Sequence, residues 1–455
     1  MRQRPVEQDR YQRRNNFEAV EENLTADQVK AEASRCLNCK NPRCVKGCPV
    51  NIQIPDFIKA LKEDDIEKAG YIIRQTSMLP SVCGRVCPQE RQCEGNCVLG
   101  IKGEAIAIGA LERYVGDNTT AKRTEIMPSG KKVAVVGSGC AGITAAADLR
   151  KAGHDVVVFE ALHKFGGVLR YGIPPFRLPR TVLDKEISNL QDMGVKFEKN
   201  VIVGKSITLK QLKEDGFDAI FICSGAGLPK MMNIPGENLN GVFSANEFLT
   251  RVNLMQANAE NTPTPLKVGK SVAVIGGGNV AMDAARTAVR VGFENVYIVY
   301  RRTEEELPAR LEEIRHAKEE GVNFVFLHAP AEIFSKEGYV AGMKFEIMEL
   351  GEPDLSGRRS PVGTGRFTEM DVDTVIVALG TGPNPIIQKS ACDDGIVFEV
   401  DKRGYFIVNE ETRETSVPAI FAGGDVAPVG ASNAINAMGA GKKAAKAINE
   451  FLSSS

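Results

Sequence analysis

A nearly repeated segment constrains this chain more than any other feature of its sequence. Residues 131–139 read Lys-Lys-Val-Ala-Val-Val-Gly-Ser-Gly, and residues 270–278 read Lys-Ser-Val-Ala-Val-Ile-Gly-Gly-Gly. In each copy a short β-branched run leads into a glycine-rich loop that opens a helical stretch. The spacing between the copies is far longer than a solenoid repeat. We therefore infer a duplicated nucleotide-binding unit.

Short apolar runs that alternate with helical stretches surround both copies. Such runs predict buried parallel strands, and their alternation with helices predicts a doubly wound α/β architecture. The predicted strands cover residues 133–136, 156–159, 219–223, 272–275, 296–299 and 375–378. Before residue 120 the pattern is helical instead, beginning with a capping box from Thr25 to Gln28. Residues 121–130 are expected to form a linker.

The first glycine loop has the spacing of a dinucleotide-binding fingerprint. Gly137 permits the tight turn, Gly139 allows the backbone to approach a pyrophosphate, and Gly142 allows the helix and strand to pack closely. The next predicted strand ends at Glu160, whose carboxylate can accept the hydroxyls of an adenosine ribose. The alternative, a plain glycine-rich turn, does not account for the strand, loop, helix, strand and terminal acid together.

The second glycine loop, residues 276–281, also lies between a predicted strand and a helix. Gly276 and Gly278 occupy the turn and the close-approach positions, and Asn279 and Val280 open the helix. Ala281 stands where the third glycine would be, a replacement that the fingerprint tolerates. A second dinucleotide is therefore expected here.

The end of the next strand indicates which dinucleotide this loop binds. Arg301 and Arg302 follow that strand, where an acid would favour a free ribose hydroxyl. Guanidinium groups suit a 2′-phosphate, so NADP(H) is the predicted nucleotide. The alternative is a pair of solvated surface arginines, and the glutamates at 304–306 could offset part of their charge.

Eight of the 11 cysteines fall between residues 36 and 97, in two runs that each contain a Cys-Pro pair. Their positions are Cys36, Cys39, Cys44, Cys48, Cys83, Cys87, Cys93 and Cys97. Clustering of this kind in a long chain indicates metal ligation rather than disulfide bonds. Zinc ribbons usually have two CxxC pairs and this chain has one, whereas Cys-Pro endings are typical of bacterial ferredoxins. Two 4Fe–4S clusters with crossed ligation are therefore favoured over zinc or free thiols.

Several further motifs resemble the landmarks of flavoproteins with two dinucleotide domains. They occupy residues 166–167, 221–226, 375–380 and 420–425. The resemblance implies that Gly167, Gly424 and Asp425 contact FAD, with Asp425 near its ribityl phosphate, and that the turn at Asn433 and Ala434 faces the flavin ring. The remaining cysteines, Cys140, Cys223 and Cys392, form no CxxC pair, so a disulfide reductase is disfavoured.

The whole chain closely resembles the family of NADPH-dependent glutamate synthase small subunits. Relatives include the electron-input half of dihydropyrimidine dehydrogenase and the large subunit of ferredoxin:NADP transhydrogenase. The motifs that carry the resemblance are residues 83–88, 109–113, 171–179, 276–283 and 300–302. It implies one cluster on Cys36, Cys39, Cys44 and Cys97, and a second on Cys48, Cys87, Cys93 and Glu112. Counting cysteines alone gives two all-cysteine clusters, with Cys83 in place of Glu112.

The expected organisation is a helical iron–sulfur domain followed by two Rossmann-like domains, the first interrupted by the second. Residues 1–127 form the cluster domain, 128–264 and 383–455 the FAD domain, and 265–382 the NADPH domain. The expected activity is an iron–sulfur flavoprotein oxidoreductase that passes electrons from NADPH to FAD and then to the clusters. The resemblance favours the glutamate synthase role, which forms glutamate from 2-oxoglutarate and glutamine. A subunit of a transhydrogenase or sulfide dehydrogenase, and a non-catalytic electron wire or assembly scaffold, are the alternatives.

Bulk composition excludes other classes of function. The formal net charge is −1, so no overall field favours nucleic acid or a membrane surface. The sequence has neither a long apolar span nor an apolar N-terminal signal, so a cytoplasmic location is expected. The chain has no evident room for a glutaminase or a barrel domain, and we expect either a larger flavin-containing catalytic subunit as partner or a homo-oligomer.

Overall fold

The computed structural model describes residues 1–121, 126–259, 261–428 and 433–454. Its N-terminal part is helical, as predicted, and the Thr25 capping box opens the second helix. The helices are Arg10–Arg13, Ala26–Ser34, Arg43–Lys46, Ile54–Lys62, Ile66–Arg74, Pro80–Val86 and Ile108–Asn118, with single turns at Gln89–Arg91 and Val98–Ile101. The predicted linker at 121–130 lies partly outside the described residues.

A five-stranded parallel sheet forms the core of the first dinucleotide unit. Its strands in spatial order are Ile420–Ala422, Ala219–Ile222, Lys132–Val136, Asp155–Glu160 and Lys196–Lys199. Val133 pairs with Val156 on one side and with Ala219 on the other, so all three predicted strands of this unit are confirmed. The last strand, at 420–422, arrives from the far end of the chain, so the second unit is inserted into the first.

The second unit is also a five-stranded parallel sheet. Its order is Val242–Ser244, Thr374–Val377, Ser271–Ile275, Asn295–Tyr300 and Asn323–Phe326. The expected start of this domain at residue 265 is too late, because Val242–Ser244 pairs with Val375–Val377 at the sheet edge. The helix that follows, Ala245–Asn253, buries Phe248 and Leu249 in the same core. The edge strand and its helix therefore belong to the second unit.

A three-stranded antiparallel sheet lies on the second unit and was not predicted from the sequence. Its strands are His328–Lys336, Tyr339–Pro353 and Arg359–Met370. Ile333, Met343 and Phe345 pack with Ala273 and Ile275 of the parallel sheet in one buried cluster. The antiparallel sheet therefore covers one face of the second parallel sheet through apolar contacts.

Helices cover the remaining faces of the sheets. They are Cys140–Lys151, Val168–Tyr171, Arg180–Asp192, Leu209–Glu214, Asn279–Val291, Leu311–Glu319, Ile386–Asp393 and Ala434–Ser453. The C-terminal helix packs tightly on the helix of the first glycine loop, where a Cβ at Gly441 would lie 2.3 Å from the Ala141 carbonyl oxygen. Among the described residues, no helix has the length and apolar character needed to cross a membrane.

A buried ion-pair network joins the N-terminal segment and both dinucleotide units. Arg177 of the first unit contacts Asp283 at 2.7 Å and Glu313 at 2.8 Å, both in the second unit. Arg286 contacts Glu313 and Glu320. All three of these residues are buried. Glu320 in turn accepts a hydrogen bond at 3.1 Å from Arg13, near the N-terminus. The network therefore fixes three parts of the chain against one another.

Replacing Arg177 with methionine should lower the free energy of unfolding by about 3–5 kcal/mol, because it leaves the buried Asp283 carboxylate without its ion-pair partner and removes one of the arginines that contact Glu313. Burial alone would raise the pKa of the Glu313 carboxyl, but Arg177 and Arg286 hold it well below its usual range. The same change at Arg403, whose ion pair with Asp401 is at the surface, is the control and should leave the free energy of unfolding nearly unchanged. Equal losses in chemical denaturation would contradict this account of the network.

Candidate functional site

The first glycine loop leaves an open cradle between its strand and helix. Gly137 has φ +116°, and a Cβ there would lie 2.6 Å from the Cys223 carbonyl oxygen. A Cβ at Gly142 would lie 2.0 Å from the Gly137 carbonyl oxygen, so helix and strand approach as the fingerprint requires. A Cβ at Gly139 would instead meet nothing within 4 Å. The space above Gly139 thus fits a pyrophosphate at the N-terminus of helix Cys140–Lys151.

Replacing Gly139 with alanine should weaken FAD binding without destabilising the cofactor-free protein. The added methyl group enters open space in the protein but occupies the position at which the pyrophosphate approaches the backbone. Gly142→Ala is the matched comparison and should lower both FAD content and the melting temperature, because its methyl group would collide with backbone. Unchanged FAD affinity in Gly139→Ala would show that this loop does not bind the pyrophosphate.

Glu160 lies where the sequence predicts, at the end of the second strand of the first unit. Its carboxylate is buried and accepts hydrogen bonds from the Ser138 backbone N–H at 3.1 Å and the Leu162 backbone N–H at 2.9 Å. The Ser138 hydroxyl also donates to Glu160, and it accepts from the Gly166 backbone N–H at 2.9 Å. Ser138 therefore links the glycine loop, the acid and the Gly166 turn, a role that the sequence analysis missed.

The C-terminal motifs come together at the first loop. Gly424 has φ +70°, and a Cβ there would lie 3.2 Å from Ala141 Cβ. Asp425 follows in the same turn, and its charge acts on Tyr171; burial, with a smaller contribution from Asp425, raises the pKa of Tyr171 to about 12. Gly167 also reaches the loop, since a Cβ there would lie 2.9 Å from Gly139 Cα. All the predicted FAD contacts described so far surround one cradle.

The helix that should face the flavin ring begins where the sequence predicts. Asn433 caps helix Ala434–Ser453 by accepting a hydrogen bond from the Asn436 backbone N–H at 3.0 Å. The cap fixes the position of the helix N-terminus, whose partial positive charge suits an electron-rich group.

The second glycine loop repeats this geometry. Gly276 has φ +142°, and a Cβ there would lie 2.5 Å from the Ala378 carbonyl oxygen, whereas a Cβ at Gly278 would meet nothing within 4 Å. Val280 is 41% exposed at the start of helix Asn279–Val291. The Asn279 side-chain oxygen accepts a hydrogen bond from the Arg310 backbone N–H at 2.9 Å. The loop is therefore held open by its neighbours.

The two arginines after the second strand of this unit differ in their surroundings. Arg301 is exposed, while Arg302 is buried and donates to Asp354 and to the Arg359 carbonyl oxygen, each at 2.6 Å. Arg302 thus attaches the antiparallel sheet to the strand end, and Arg301 is the one whose charge faces solvent there. The structure brings both to the predicted strand end but gives them different contacts.

The neighbouring glutamates are paired rather than free to oppose Arg301. Glu305 and Glu306 accept from Arg359, and Glu304 accepts from Lys318. Arg359 and Asp354 lie in and beside the antiparallel sheet, so their part in this site could not be read from the strand pattern alone.

Cys36, Cys39, Cys44 and Cys97 line one small cavity in the helical domain. All four are half-buried. Burial raises the pKa of Cys44 to about 11, and the nearby Cys97 and Cys36 add to this shift. Thiols that are drawn together in this way require a positive partner before they can ionise, which a cluster iron would supply. The predicted first ligand set is therefore one spatial group.

The predicted second set is a separate and deeper group. Cys48, Cys87 and Cys93 are at most 8% exposed, and the Glu112 carboxylate acts electrostatically on all three. Burial raises the pKa of Glu112 to about 8, and its Oε1 has no hydrogen-bond partner among the described residues. A buried carboxylate oxygen without a partner is costly, so its position fits a ligand to a bound cluster.

Cys83 lies beside this second group. Its Sγ lies 3.5 Å from the Met438 Sδ atom of the C-terminal helix and 3.8 Å from the Ser77 hydroxyl. Its thiol also contacts Cys87. The all-cysteine alternative, in which Cys83 completes the second cluster, therefore remains a prediction beside the Glu112 model.

Two arginines with structural roles at the site escaped the sequence analysis. Arg177 lies within the motif at 171–179, and its partner Asp283 ends the motif at 276–283, but neither pattern shows that they pair. Arg310 binds the Arg85 carbonyl oxygen at 2.7 Å and Gln89 at 3.0 Å, which joins the second loop to the cluster domain. Only spatial proximity reveals both contacts.

Two protein-family models match successive parts of the chain. Residues 13–124 match the model described as dihydropyrimidine dehydrogenase domain II, 4Fe–4S cluster. Residues 131–441 match the pyridine nucleotide-disulphide oxidoreductase family. In fold, the chain is similar to Mycobacterium tuberculosis FprA in complex with NADPH (TM-score 0.58, 23% identity, 71% of this chain and 85% of that one). It is also similar in fold to T. acidophilum thioredoxin reductase (TM-score 0.53, 21% identity, 71% of this chain and 100% of that one).

Sequence relatives cover nearly the whole chain. The glutamate synthase [NADPH] small chain of Escherichia coli is 37% identical over 97% of this chain and 95% of its own length. The glutamate synthase [NADPH] small chain of Azospirillum brasilense is 34% identical over 97% of this chain and 92% of its own length. The NADP(+)-dependent formate dehydrogenase subunit beta of Moorella thermoacetica is 39% identical over 90% of this chain but only 60% of its own.

These matches confirm several predictions made from the sequence. The fold class is a helical iron–sulfur domain followed by two Rossmann-like units. The chain is an oxidoreductase, and its cofactor set is FAD, NADPH and 4Fe–4S clusters. On the basis of near-complete coverage at this level of identity, the chain belongs to the family of the glutamate synthase [NADPH] small chain.

Proposed function

We propose that this chain oxidises NADPH and delivers the electrons, through FAD and two 4Fe–4S clusters, to a larger partner subunit. The observation that carries the proposal is the arrangement of the two cysteine groups. The deeper group adjoins the C-terminal helix of the flavin unit through the contact between Cys83 and Met438. The other group is half-buried at the surface. Such an order suits transfer from the flavin unit, through the interior cluster, to the surface cluster.

The proposal assigns each cofactor to a set of residues. The FAD site comprises Gly137, Gly139, Gly142, Glu160, Gly167, Gly424, Asp425, Asn433 and Ala434. The NADPH site comprises Gly276, Gly278, Asn279, Val280, Arg301 and Arg302, with Arg302 in a supporting role. The surface cluster is assigned to Cys36, Cys39, Cys44 and Cys97, and the interior cluster to Cys48, Cys87, Cys93 and Glu112. Bound FAD supplies the conversion between a two-electron hydride donor and one-electron carriers.

The chain itself contributes orientation and protection from water. The glycine loops place both dinucleotides by their pyrophosphates, and Arg301 selects the nucleotide with a 2′-phosphate. Arg177 and Asp283 hold the second unit against the first, which keeps the two nucleotide sites in a fixed relation. Burial of the second cysteine group excludes water from the interior cluster.

The glutamate synthase role is the favoured physiological function. The E. coli and Azospirillum relatives are named small chains and cover this chain almost entirely, so a large catalytic subunit that forms glutamate from 2-oxoglutarate and glutamine is the proposed partner. The Moorella relative, named a formate dehydrogenase subunit beta, supports electron exchange with another partner as the second candidate. The proposal includes a cytoplasmic location, because eight unpaired cysteines, four of them only half-buried, suit a reducing compartment.

Reconstitution with the large glutamate synthase subunit from the same cell tests this role. The two chains together should convert 2-oxoglutarate and glutamine into glutamate with stoichiometric NADPH oxidation. Neither chain alone should do so, while this chain alone should still reduce a neutral dye with NADPH. Dye reduction without glutamate formation by the pair would exclude the glutamate synthase role and favour the second candidate.

A further inference from the structure

The segments that carry the first cysteine group also carry four exposed basic side chains. Lys40 and Arg43 lie between the cysteines of the group, Lys46 follows Cys44, and Lys102 follows Cys97. All four basic residues are exposed, and none of them forms an ion pair within the part of the chain that the structure describes. Because the whole chain has a net charge of −1, these four residues, called the basic rim below, are a local concentration of positive charge along the segments that hold the cysteines.

Two exposed apolar side chains lie within the basic rim. Leu37, which lines the same cavity as the cysteines, is 62% exposed, and Ile101, which precedes Lys102 in sequence, is 67% exposed. Glu104, two residues after Lys102, is exposed but does not neutralise the rim because it binds Arg4 and the Arg2 backbone N–H. Asp56, which follows the cavity residue Pro55, is a single exposed carboxylate against the four basic side chains. Apolar contacts surrounded mainly by charge of one sign are typical of a surface that binds a protein of opposite charge.

We propose that the basic rim is the docking surface for an acidic protein or domain that accepts one electron at a time. The inference rests on the proposed function, because a protein bound at this surface can receive electrons only if Cys36, Cys39, Cys44 and Cys97 hold a cluster. The half-buried position of these cysteines brings a bound acceptor close to that cluster. Complementary charge raises the rate of encounter, while the small apolar centre allows rapid release, as redox encounters require.

The test uses the intact holoenzyme, an acidic 2Fe–2S ferredoxin as acceptor and NADPH as donor. Lys46→Glu combined with Lys102→Glu should lower kcat/KM for the ferredoxin about tenfold or more at low salt. The loss should shrink as added salt screens the charges. Titration calorimetry with oxidised ferredoxin and oxidised enzyme, which involves no turnover, should show a matching rise in Kd.

A matched variant separates this local effect from a change in net charge. Lys205→Glu combined with Lys336→Glu makes the same change at exposed positions in the two sheet-containing units, and it should leave ferredoxin reduction within about twofold of wild type. Cytochrome c, a basic acceptor, should not be reduced more slowly by the rim variant. Iron content and NADPH-dependent reduction of a neutral dye should be the same in all three proteins.

The outcomes separate the two proposals. Equal losses in the rim and control variants, or ferredoxin reduction that is insensitive to salt, would overturn the docking surface while dye reduction leaves the proposed function intact. A wild-type protein that cannot reduce even the neutral dye with NADPH would overturn the proposed function, and the docking surface with it.

Discussion

Replacing Arg301 with alanine is expected to lower kcat/KM for NADPH about tenfold to a hundredfold and to leave kcat/KM for NADH nearly unchanged. A charge-assisted contact with the 2′-phosphate is worth about 1.5–3 kcal/mol, and a free ribose hydroxyl gains little from a guanidinium. Arg301 is exposed at the predicted strand end, and the glutamates that follow it are paired elsewhere. A neutral artificial acceptor makes the measurement independent of the partner.

Arg302→Ala is the matched control for Arg301. Because Arg302 is buried against Asp354 and the Arg359 carbonyl oxygen, its loss should loosen the antiparallel sheet, lower the melting temperature and affect both nucleotides alike. FAD content should be normal in both variants. Equal losses for NADPH and NADH in Arg301→Ala, or a wild-type preference for NADH, would refute the NADP(H) assignment.

Replacing Glu112 with alanine should remove or convert one of two 4Fe–4S clusters, so that iron falls from about eight to about four per chain if the cluster is lost. The Glu112 carboxylate is buried among Cys48, Cys87 and Cys93, and one of its oxygens has no hydrogen-bond partner among the described residues. FAD content and hydride transfer from NADPH should be normal, because the first glycine loop is untouched. Iron analysis and electron paramagnetic resonance after anaerobic purification give the result.

Cys83→Ser is the control that distinguishes the two ligand models. If Glu112 is the ligand, this variant should keep both clusters, since Cys83 then contacts Cys87, Met438 and Ser77 without binding iron. Loss of a cluster in Cys83→Ser together with unchanged spectra in Glu112→Ala would establish the all-cysteine model instead.

The three central strands of each parallel sheet and the glycine loops could be predicted because their signals are local, whereas the edge strands could not. A β-branched run such as Val133–Val136 followed by Gly137 encodes both the strand and the turn within a few residues. The boundary at 265 was wrong because Val242–Ser244 is short and pairs with a strand more than 130 residues later. The antiparallel sheet was missed for a related reason, since its long strands at 339–353 and 359–370 carry mixed polar and apolar positions.

The site residues likewise include some that could be predicted from the sequence and others that could not. The cysteine spacing predicted crossed ligation between the two runs, and the family resemblance predicted which four thiols line one cavity. The partners of Arg177 and Arg302 could not be predicted, because Asp283 and Asp354 are distant in sequence and any of the many carboxylates could have paired with them. The contrast between exposed Arg301 and buried Arg302, adjacent in sequence, likewise arises only when the antiparallel sheet folds against the strand end.

Electron paramagnetic resonance of the anaerobically purified protein before and after addition of NADPH tests the central claim most directly. The account predicts a brown protein with FAD near 1:1 and about eight irons per chain, in which NADPH bleaches the flavin absorbance and produces the signals of reduced 4Fe–4S clusters. Zinc without iron, or clusters that dithionite reduces while NADPH leaves both them and the flavin oxidised, would contradict it.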